Sequence, residues 1–377
     1  MANIYKFAFI FLDEIHHINH FITVAIELSK VHEVSILTYP GKHVYLRKSL
    51  KKLHGEKIHL KELKTLPFRA FTDTLKNREL PRKGFWMKKN KKYILNNFDA
   101  VVFTDYIHHK LLKARENRPF PKFIKFEHGM AGRSYSYKKD LLDFDLHVIY
   151  GEFYRKQLKK RKLLIKNAVI GYPKLEAIKI HQEKKIFNNQ KPVVLYNPHF
   201  SPPHSSWHKE GLKILEYFFN QKEYNLIFAP HLHLFQKLKG GVEETELPQK
   251  YFEAPHIYID LGSEESVNMT YVQNADIYLG DVSSQVYEFI INPRPCIFLN
   301  PENIDYRDNP DFRFWKCGNV IKGAKELENS LNEARSKFEE EHKKIQQKIT
   351  SQNFYTEENS TASERAANAI VRFLNEA

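Results

Sequence analysis

Small hydroxyl and acidic side chains follow an apolar run in the second half of the chain. Residues 280–284 read Gly-Asp-Val-Ser-Ser and come directly after the apolar segment 275–279. If a helix begins here, its free N–H groups and positive dipole end could bind phosphate, with Ser283 and Ser284 as further donors. Asp281 or a serine could equally serve as an ordinary helix N-cap. Spacing alone leaves both interpretations open.

Histidines follow three other apolar runs. His128 lies between Glu127 and Gly129 at the end of one run, and His199 and His231 follow two others. A histidine just beyond a buried strand can act as acid or base, or can donate a hydrogen bond to a phosphate oxygen. Each could equally be a structural histidine, and the loop that contains His199 could be an ordinary surface turn. These positions are therefore candidates whose roles the spacing does not assign.

The elements that must position these side chains alternate between short apolar strands and longer helices. The pattern predicts strands at residues 7–12, 34–38, 100–104, 122–126, 146–150, 168–170, 192–196, 225–229, 257–260, 275–279 and 296–299. Helical spacing predicts helices at residues 20–31, 107–115, 209–220 and 282–291. Alternation of this kind in both halves favours two parallel sheets covered by helices. In such sheets ligands bind beyond the carboxyl ends of the strands, where the polar segments lie.

Chain length and turn residues predict the domain organisation. A chain of 377 residues is about two domains long. The segment Gly-Tyr-Pro at 171–173, followed by the polar stretch 181–190, marks the boundary. We therefore predict an N-terminal domain over residues 1–172, a C-terminal domain over 173–355, and a last helix at 356–377 that packs back on the N-terminal domain.

The chain is strongly basic, with a formal charge of +14. Nucleic acid, an anionic membrane face or phosphorylated substrates could each account for this charge. The basic runs at 82–92 and 155–162 could be solvated helix faces, or they could bind lipid head groups while Phe85 and Trp86 enter the interface. Nucleic acid is disfavoured because no recognisable binding motif accompanies the charge.

Cysteine content and hydropathy bear on the compartment. Only Cys296 and Cys317 are present, neither in a Cys-x-x-Cys pair, so neither a zinc site nor a disulfide framework is indicated. No segment approaches the ~18 consecutive apolar residues of a membrane span, and the first apolar run lacks the basic leader of a signal peptide. These features predict a cytoplasmic protein, peripheral on the inner face of the membrane if the basic runs bind lipid.

Five segments, taken in order, resemble the CDP-glycerol glycerophosphotransferase family, which includes the teichoic-acid primases and polymerases. They are His-Gly at 128–129, Gly-Tyr-Pro-Lys at 171–174, Tyr-Asn-Pro-His at 196–199, Ala-Pro-His-Leu at 229–232, and Gly-Asp-Val-Ser-Ser at 280–284 with Glu288 after it. Two features depart from the family pattern: Ala229 stands where the family has a lysine, and the Thr-Arg that commonly ends the fourth segment is absent.

The resemblance implies an α/β GT-B fold, with two Rossmann-like parallel-sheet domains facing a central cleft and with C-terminal helices. It implies that His128 deprotonates the acceptor hydroxyl and that His231 binds the donor pyrophosphate. The remaining donor-binding candidates are His199, Gly280, Asp281, Ser283 and Ser284. The acceptor-side candidates are Asp13, His16, Glu127 and Gly129.

The expected activity is transfer of glycerol phosphate, or a related phosphoalcohol, from a CDP-linked donor to a lipid-linked or polysaccharide acceptor in cell-surface polymer synthesis. The alternative is a GT-B glycosyltransferase using a UDP- or CMP-sugar for capsule or lipopolysaccharide synthesis. A UDP-sugar 2-epimerase and a non-enzymatic basic binding protein are less favoured. The resemblance assigns the charge of the leaving group to histidine and helix N–H groups, so we expect neither metal nor cofactor. The oligomeric state stays open.

Overall fold

Two separate parallel sheets organise the chain in the computed structural model, which describes residues 3–12, 14–76, 78, 80–116, 118–130, 133–180, 184–236 and 247–376. The first unit comprises Met1–Ile180 together with Gln352–Ala377, and the second comprises His181–Ser351. Each unit therefore has a sheet of its own, and the C-terminal segment returns to the first.

The first sheet has seven strands in the order β3-β2-β1-β4-β5-β6-β7. They are β1 (Lys6–Ile10), β2 (Glu33–Thr38), β3 (His59–Glu62), β4 (Ala100–Phe103), β5 (Lys122–Phe126), β6 (Leu146–Ile149) and β7 (Asn167–Val169). All neighbours pair in parallel. The inner strands are nearly continuous apolar runs because helices cover both faces of the sheet.

The second sheet has six parallel strands in the order β10-β9-β8-β11-β12-β13. They are β8 (Val193–Asn197), β9 (Asn225–Phe228), β10 (Ile257–Ile259), β11 (Ile277–Gly280), β12 (Cys296–Leu299) and β13 (Asn319–Ile321). Its core packs the central strands against the first long helix of the unit, where Trp207 stacks on Phe228 with ring centroids 5.1 Å apart.

The helices fill the connections between strands. In chain order they are α1 (Ile22–Ser29), α2 (Val44–Lys52), α3 (Pro67–Leu75), α4 (Lys83–Asn97), α5 (His109–Arg115), α6 (Glu152–Lys160), α7 (Lys174–Ala177), α8 (Trp207–Asn220), α9 (Lys250–Glu253), α10 (Thr270–Asn274), α11 (Gln285–Phe289), α12 (Leu327–Asn332), α13 (Ala334–Lys337), α14 (Lys343–Asn353) and α15 (Ala362–Asn375). A 3-10 segment, Ile15–His20, precedes α1.

The last helix, α15, is fixed at its start by side chains of the first unit. Thr361 and Glu364 form a reciprocal capping box. The carboxylate of Glu176 accepts hydrogen bonds from the backbone N–H groups of Ala362 and Ser363. These N–H groups have no partner within a helix, so Glu176 anchors α15 against the first unit.

The predicted fold class is confirmed: both halves are parallel α/β sheets. Two strands escaped sequence prediction, β3 and β13. Both are three or four residues long and lie at sheet edges, where one side meets solvent and a continuous apolar run is not required. The helix predicted at 282–291 is shorter than expected, because only Gln285–Phe289 is helical.

The predicted lipid contact of Phe85 and Trp86 is wrong for Trp86. The Trp86 ring is fully buried, and its indole N–H donates to the Leu63 carbonyl at 2.6 Å. Phe85 is half-buried, with the guanidinium of Arg69 4.2 Å from its ring centroid. Sequence proximity to lysines made both rings resemble an interfacial anchor, whereas tertiary packing buries Trp86 together with Met87 and Ile94 of α4. None of the described helices has the length and hydropathy to span a bilayer.

Candidate functional site

The candidate residues follow the carboxyl ends of central strands in each sheet. In the first unit, β2 and β3 are added on one side of β1, and β4 and the strands after it are added on the other side. The direction in which strands are added therefore reverses between the neighbours β1 and β4. In the second unit the reversal lies between β8 and β11. Loops that diverge at such a point leave a crevice, which is where ligands bind in open parallel sheets.

His128 is oriented by the backbone of the residue after β4. Its Nδ1 lies 2.7 Å from the carbonyl oxygen of Thr104. A carbonyl can only accept, so Nδ1 carries the proton and Nε2 keeps its lone pair. The His128 side chain is half-buried. The arrangement therefore leaves Nε2 as the ring nitrogen that can take a proton from a ligand.

His17 supports His128 from the first loop of the chain. Their rings stack with centroids 4.3 Å apart and planes 18° apart, and the His17 Nδ1 lies 2.9 Å from the hydroxyl of Thr104. Burial, together with the neighbouring His128 and His16, lowers the pKa of His17 well below its ordinary value. His17 is therefore neutral at physiological pH, and Thr104 holds both imidazoles.

A buried charged network lies beneath His128. The Lys125 side chain is fully buried, and its ammonium group donates to the Thr104 carbonyl at 3.2 Å. The Glu127 carboxylate lies 3.6 Å from that ammonium group and 3.0 Å from Nε2 of His147. Burial alone would raise the pKa of Glu127, but Lys125 and His147 outweigh it and lower the pKa to about 2. Glu127 therefore stays ionised and ties the segment before His128 to the sheet.

The other acceptor-side candidates lie around the same histidine. The His16 ring centroid is 4.4 Å from that of His17 and 6.0 Å from that of His128. Gly129 follows His128 directly and is half-buried. Asp13 lies outside the described residues. The structure thus brings His16 and His128 together, a proximity that their separation in sequence does not reveal.

Two groups of side chains in the first unit have ligand atoms spaced closely enough to surround a cation. Glu14, His16 and His17 form one, and His108, His109 and Asp143 form the other; within each group the ligand atoms lie within 4.8 Å of one another. Carboxylate and imidazole are ordinary ligands for zinc and similar metals. Neither group was identified as a cation site from the sequence. Glu14, His16 and His17 are neighbours in the sequence, whereas tertiary packing brings Asp143 to His108 and His109.

In the second unit His199 and His231 adjoin each other beyond β8 and β9. Their ring centroids are 5.2 Å apart. The Nδ1 of His199 accepts from the backbone N–H of Ser201 at 3.0 Å, and the Nδ1 of His231 accepts from that of His233 at 3.2 Å. Because each Nδ1 accepts, each proton is on Nε2. Two imidazole N–H donors side by side can bind the oxygens of one anionic group.

Asp281 organises the loops around these histidines. Its carboxylate is buried and accepts from the backbone N–H groups of His199 at 2.8 Å, Ser206 at 2.5 Å and Val282 at 2.6 Å. Burial raises its pKa to about 6, although these N–H donors oppose the shift. The carboxylate oxygens face protein N–H groups, so Asp281 links the loop after β8, the start of α8 and the end of β11.

Gly280 and the two serines complete this segment. A side chain on Gly280 would lie 2.9 Å from the Tyr278 ring and 3.0 Å from the Asn197 carbonyl oxygen, so the close pairing of β11 with β8 requires glycine. Ser283 is buried, and its hydroxyl accepts from the backbone N–H of Gln285 at 3.2 Å. Ser284 is half-buried and its side chain does not cap the helix, which leaves its hydroxyl suited to a ligand.

Sequence reasoning missed four residues that position His128: His17, Thr104, Lys125 and His147. Lys125 offered the clearest signal, because a lysine inside an otherwise apolar strand must find buried partners. The other three gave no comparable signal, since a threonine or histidine near a strand is common.

The family comparison covers most of the chain. The sequence model described as CDP-Glycerol:Poly(glycerophosphate) glycerophosphotransferase matches residues 78–372. The chain is also similar to the teichoic acid ribitol-phosphate primase of Bacillus spizizenii, at 26% identity over 192 residues. That match covers 49% of this chain and 45% of the primase, so it spans less than half the length of the curated relative.

Solved structures support the fold. A UDP-N-acetylglucosamine 2-epimerase from Rickettsia bellii superposes with a TM-score of 0.63 at 13% identity, covering 99% of this chain and 98% of the epimerase. A glycosyltransferase from Rickettsia africae gives a TM-score of 0.52 at 16% identity, covering all of both chains. At this level of identity the similarity concerns architecture alone, and it agrees with the predicted GT-B class.

Proposed function

Because this chain belongs to the CDP-glycerol:poly(glycerophosphate) glycerophosphotransferase family, we propose that it transfers a polyol phosphate from a CDP-linked donor to a growing cell-surface polymer. Glycerol phosphate is the transferred group in the family description, and ribitol phosphate appears in the name of the curated relative. Both are short polyols esterified to phosphate. We therefore propose CDP-glycerol or CDP-ribitol as donor, and a lipid-linked or polysaccharide chain as acceptor.

The observation that carries the proposal is the tautomer of His128. Its Nδ1 donates to the Thr104 carbonyl, so Nε2 is the nitrogen that would accept the acceptor's hydroxyl proton. The acceptor oxygen then attacks the phosphorus that bears the polyol, and the bond from that phosphorus to the oxygen bridging to CMP breaks. CMP leaves with the bonding electrons, while the proton resides on Nε2. Such general-base catalysis contributes roughly 10²–10⁴-fold in rate.

The second unit would hold the donor. We propose that the Nε2–H groups of His199 and His231 donate to the pyrophosphate and stabilise the charge that develops on the departing CMP. Ser284 would add a hydroxyl donor, and Ser283 and Gly280 would shape the same loop. Asp281 would act indirectly, since its carboxylate is occupied by backbone N–H groups.

These assignments divide the labour between the two units. The first unit, where Glu127, Gly129 and His16 lie near His128, would be the acceptor side, and the second the nucleotide side. Asp13 stays an acceptor-side candidate by its place in the sequence alone. Neither a metal nor a cofactor is needed in this scheme, because imidazole and hydroxyl groups supply the donors. We further propose that the enzyme works in the cytoplasm, peripherally on the inner face of the membrane, where lipid-linked acceptors are reached, and that nucleic acid is not a partner.

A donor screen tests the function directly. The purified full chain is incubated with CDP-glycerol, CDP-ribitol, a UDP-sugar or a CMP-sugar, with and without a synthetic poly(glycerophosphate) oligomer, and the released nucleotide is measured by chromatography. The expected result is CMP release from one CDP-polyol that requires the oligomer, together with lengthening of the oligomer by one unit. Nucleotide release only from a sugar donor would overturn the proposal.

One departure of this sequence from the family pattern supports a second candidate function. Ala229 stands where the family pattern has lysine, and it is buried, with its carbonyl accepting from the Asn197 amide at 2.6 Å. This removes from the donor side a cation that the family pattern has, so a different nucleotide-linked donor is the second candidate. The candidate is a glycosyltransferase using a UDP- or CMP-sugar, and the sugar arms of the same screen detect it.

A further inference from the structure

Helix α3 of the first unit exposes apolar side chains and buries a charged one, which is the reverse of an ordinary surface helix. Phe68, Phe71 and Leu75 are 67%, 62% and 67% exposed, whereas the buried member of the helix is Asp73. The three apolar residues follow each other at three- and four-residue intervals, so they share one face. A helix that turns its apolar face outward and its carboxylate inward is unfavourable in water unless something covers that face.

The inward side of α3 is fixed by polar contacts with the residues that lead into α4. The Arg82 guanidinium lies 2.6 Å from the Asp73 carboxylate and donates to the Thr72 hydroxyl at 2.5 Å. Arg69 and Arg82 both lie over the Phe85 ring, at 4.2 and 5.2 Å from its centroid. These contacts fix the orientation of α3, so the exposure of its apolar face follows from the packing of the unit.

The grouping is specific to α3. Across the described helices, no other has more than one large apolar side chain among the most exposed; α2 has Val44, α8 Leu212, α9 Phe252 and α14 Ile345. Isolated exposed apolar residues are normal on protein surfaces, whereas three on one face of a nine-residue helix form a continuous patch.

The surroundings of α3 are strongly basic. Residues 64–92 contain ten Lys and Arg against two Asp and Glu. Lys64, Lys76, Arg78 and Lys88 are exposed. An apolar face bordered by cations matches the boundary of an anionic bilayer, where acyl chains lie beneath negatively charged head groups. A second copy of this chain would bring two basic borders together, and their repulsion disfavours that occupant.

We propose that α3 docks the protein on an anionic lipid bilayer, with Phe68, Phe71 and Leu75 inserted at the level of the head groups and the surrounding lysines and arginines on lipid phosphates. This inference rests on the proposed function in one respect: a lipid-linked acceptor gives the docking its use. In this proposal Phe68, Phe71 and Leu75 are the side chains that enter the membrane interface, whereas Trp86 is buried.

The test is co-sedimentation of the full chain with vesicles of phosphatidylglycerol and phosphatidylcholine, and with vesicles of phosphatidylcholine alone. We expect the wild type to bind the anionic vesicles and to be released by salt. Replacing Phe68, Phe71 and Leu75 together by serine should weaken binding at least about tenfold, because the apolar part of the attraction is lost. Lys64→Glu with Lys76→Glu should have a similar effect, since each cation near the surface contributes about fivefold.

Matched controls come from α2, which lies in the same unit. Val44→Ser is the apolar control, at 61% exposure, and Lys51→Glu with Lys52→Glu is the charge control. The controls should bind like the wild type. Equal binding of wild type and the α3 serine variant overturns the proposal, and so does equal binding to neutral vesicles. A wild type that is dimeric by light scattering, with a monomeric serine variant and no vesicle binding, would show that a second copy covers the face.

Activity is measured in a separate assay, so that failure of the membrane-docking proposal can be distinguished from failure of the proposed transfer reaction. With the water-soluble oligomer as acceptor, the α3 serine variant should release CMP at the wild-type rate. With an acceptor embedded in anionic vesicles its rate should fall in proportion to binding. Vesicle binding without any CMP release would support the docking proposal and contradict the proposed reaction.

Discussion

His128 of the first unit and His231 of the second occupy equivalent places, each beyond the carboxyl end of a parallel strand, yet they carry the proton on opposite ring nitrogens. Nδ1 of His128 faces a backbone carbonyl, and Nδ1 of His231 faces a backbone N–H. The first ring therefore offers a lone pair at Nε2 and the second a proton. The local backbone, rather than the residue type, separates the proposed base from the proposed anion donor.

The two units also support their histidines differently. The first uses buried side-chain charges, Lys125 with Glu127, and the neutral imidazole of His147. The second uses Asp281, whose charge is met by backbone N–H groups. Side-chain pairing lowers the pKa of Glu127 to about 2, whereas burial raises that of Asp281 to about 6. Removal of one charged partner should therefore be felt more strongly in the first unit.

The largest expected effect concerns the base. His128→Ala should lower kcat roughly 10²–10⁴-fold while leaving the donor Kd unchanged, because the variant loses proton transfer and keeps the second unit intact. Steady-state rates of CMP release and donor titration by calorimetry measure the two quantities. His59→Ala, at an exposed histidine of β3, is the control. A folded His128→Ala with full activity would remove the contrast between the two histidines.

Next in size is the buried charge pair. Glu127→Gln should lower the free energy of unfolding by about 3–5 kcal/mol, because Lys125 remains buried without an opposite charge. The control Glu152→Gln breaks an exposed pair with Arg155 and should cost at most about 1 kcal/mol. Urea unfolding at pH 7 measures both, and equal values would contradict the importance of burial.

The same carboxylate predicts a pH dependence. Its folded pKa of about 2 lies below the ordinary 4.5, so its stabilisation is fully present above pH 4.5 and is lost as the pH falls toward 2. The difference in unfolding free energy between wild type and Glu127→Gln should therefore shrink between pH 4.5 and 2. A constant difference across that window would indicate that Glu127 is not selectively stabilised as the anion.

A smaller effect is expected on the donor side. His231→Ala should weaken donor binding roughly 10- to 100-fold, because one hydrogen bond to a charged group contributes about 1.5–3 kcal/mol. His231→Gln retains an N–H donor and should recover part of the loss, whereas glutamine at 128 should not restore the base. Donor titration provides the measurement, with His208→Ala on the exposed side of α8 as control. Identical affinities for the alanine and wild-type proteins would remove His231 from the donor site.

The smallest predicted change tests the neutral hydroxyl of Ser284 at the start of α11. Ser284→Ala should weaken donor binding roughly two- to tenfold, since a neutral hydrogen bond contributes about 0.5–1.5 kcal/mol. Ser336→Ala, on the exposed helix α13 where the hydroxyl bonds its own helix backbone, is the control. A loss as large as that of His231→Ala would mean that serine rather than histidine bears the phosphate charge.

The sequence by itself determined the alternation of strands and helices, the placement of polar segments after the strands, and the family. Apolar runs and short motifs are local properties, so the strands other than β3 and β13 could be predicted. It could not place β3 and β13, because short edge strands need no apolar run, nor the end of α11.

Only the tertiary structure decided which nitrogen of each histidine holds its proton. Thr104 is 24 residues from His128 in the sequence, and its carbonyl reaches the ring because β4 and β5 are neighbours. The same holds for Trp86 and Phe68, whose burial and exposure reverse what their local patterns favour. Long-range packing sets the hydrogen-bond partners and the solvent exposure of each side chain. The roles proposed here for the histidines, as base and anion donors, and for α3, as a docking face, rest on these two properties.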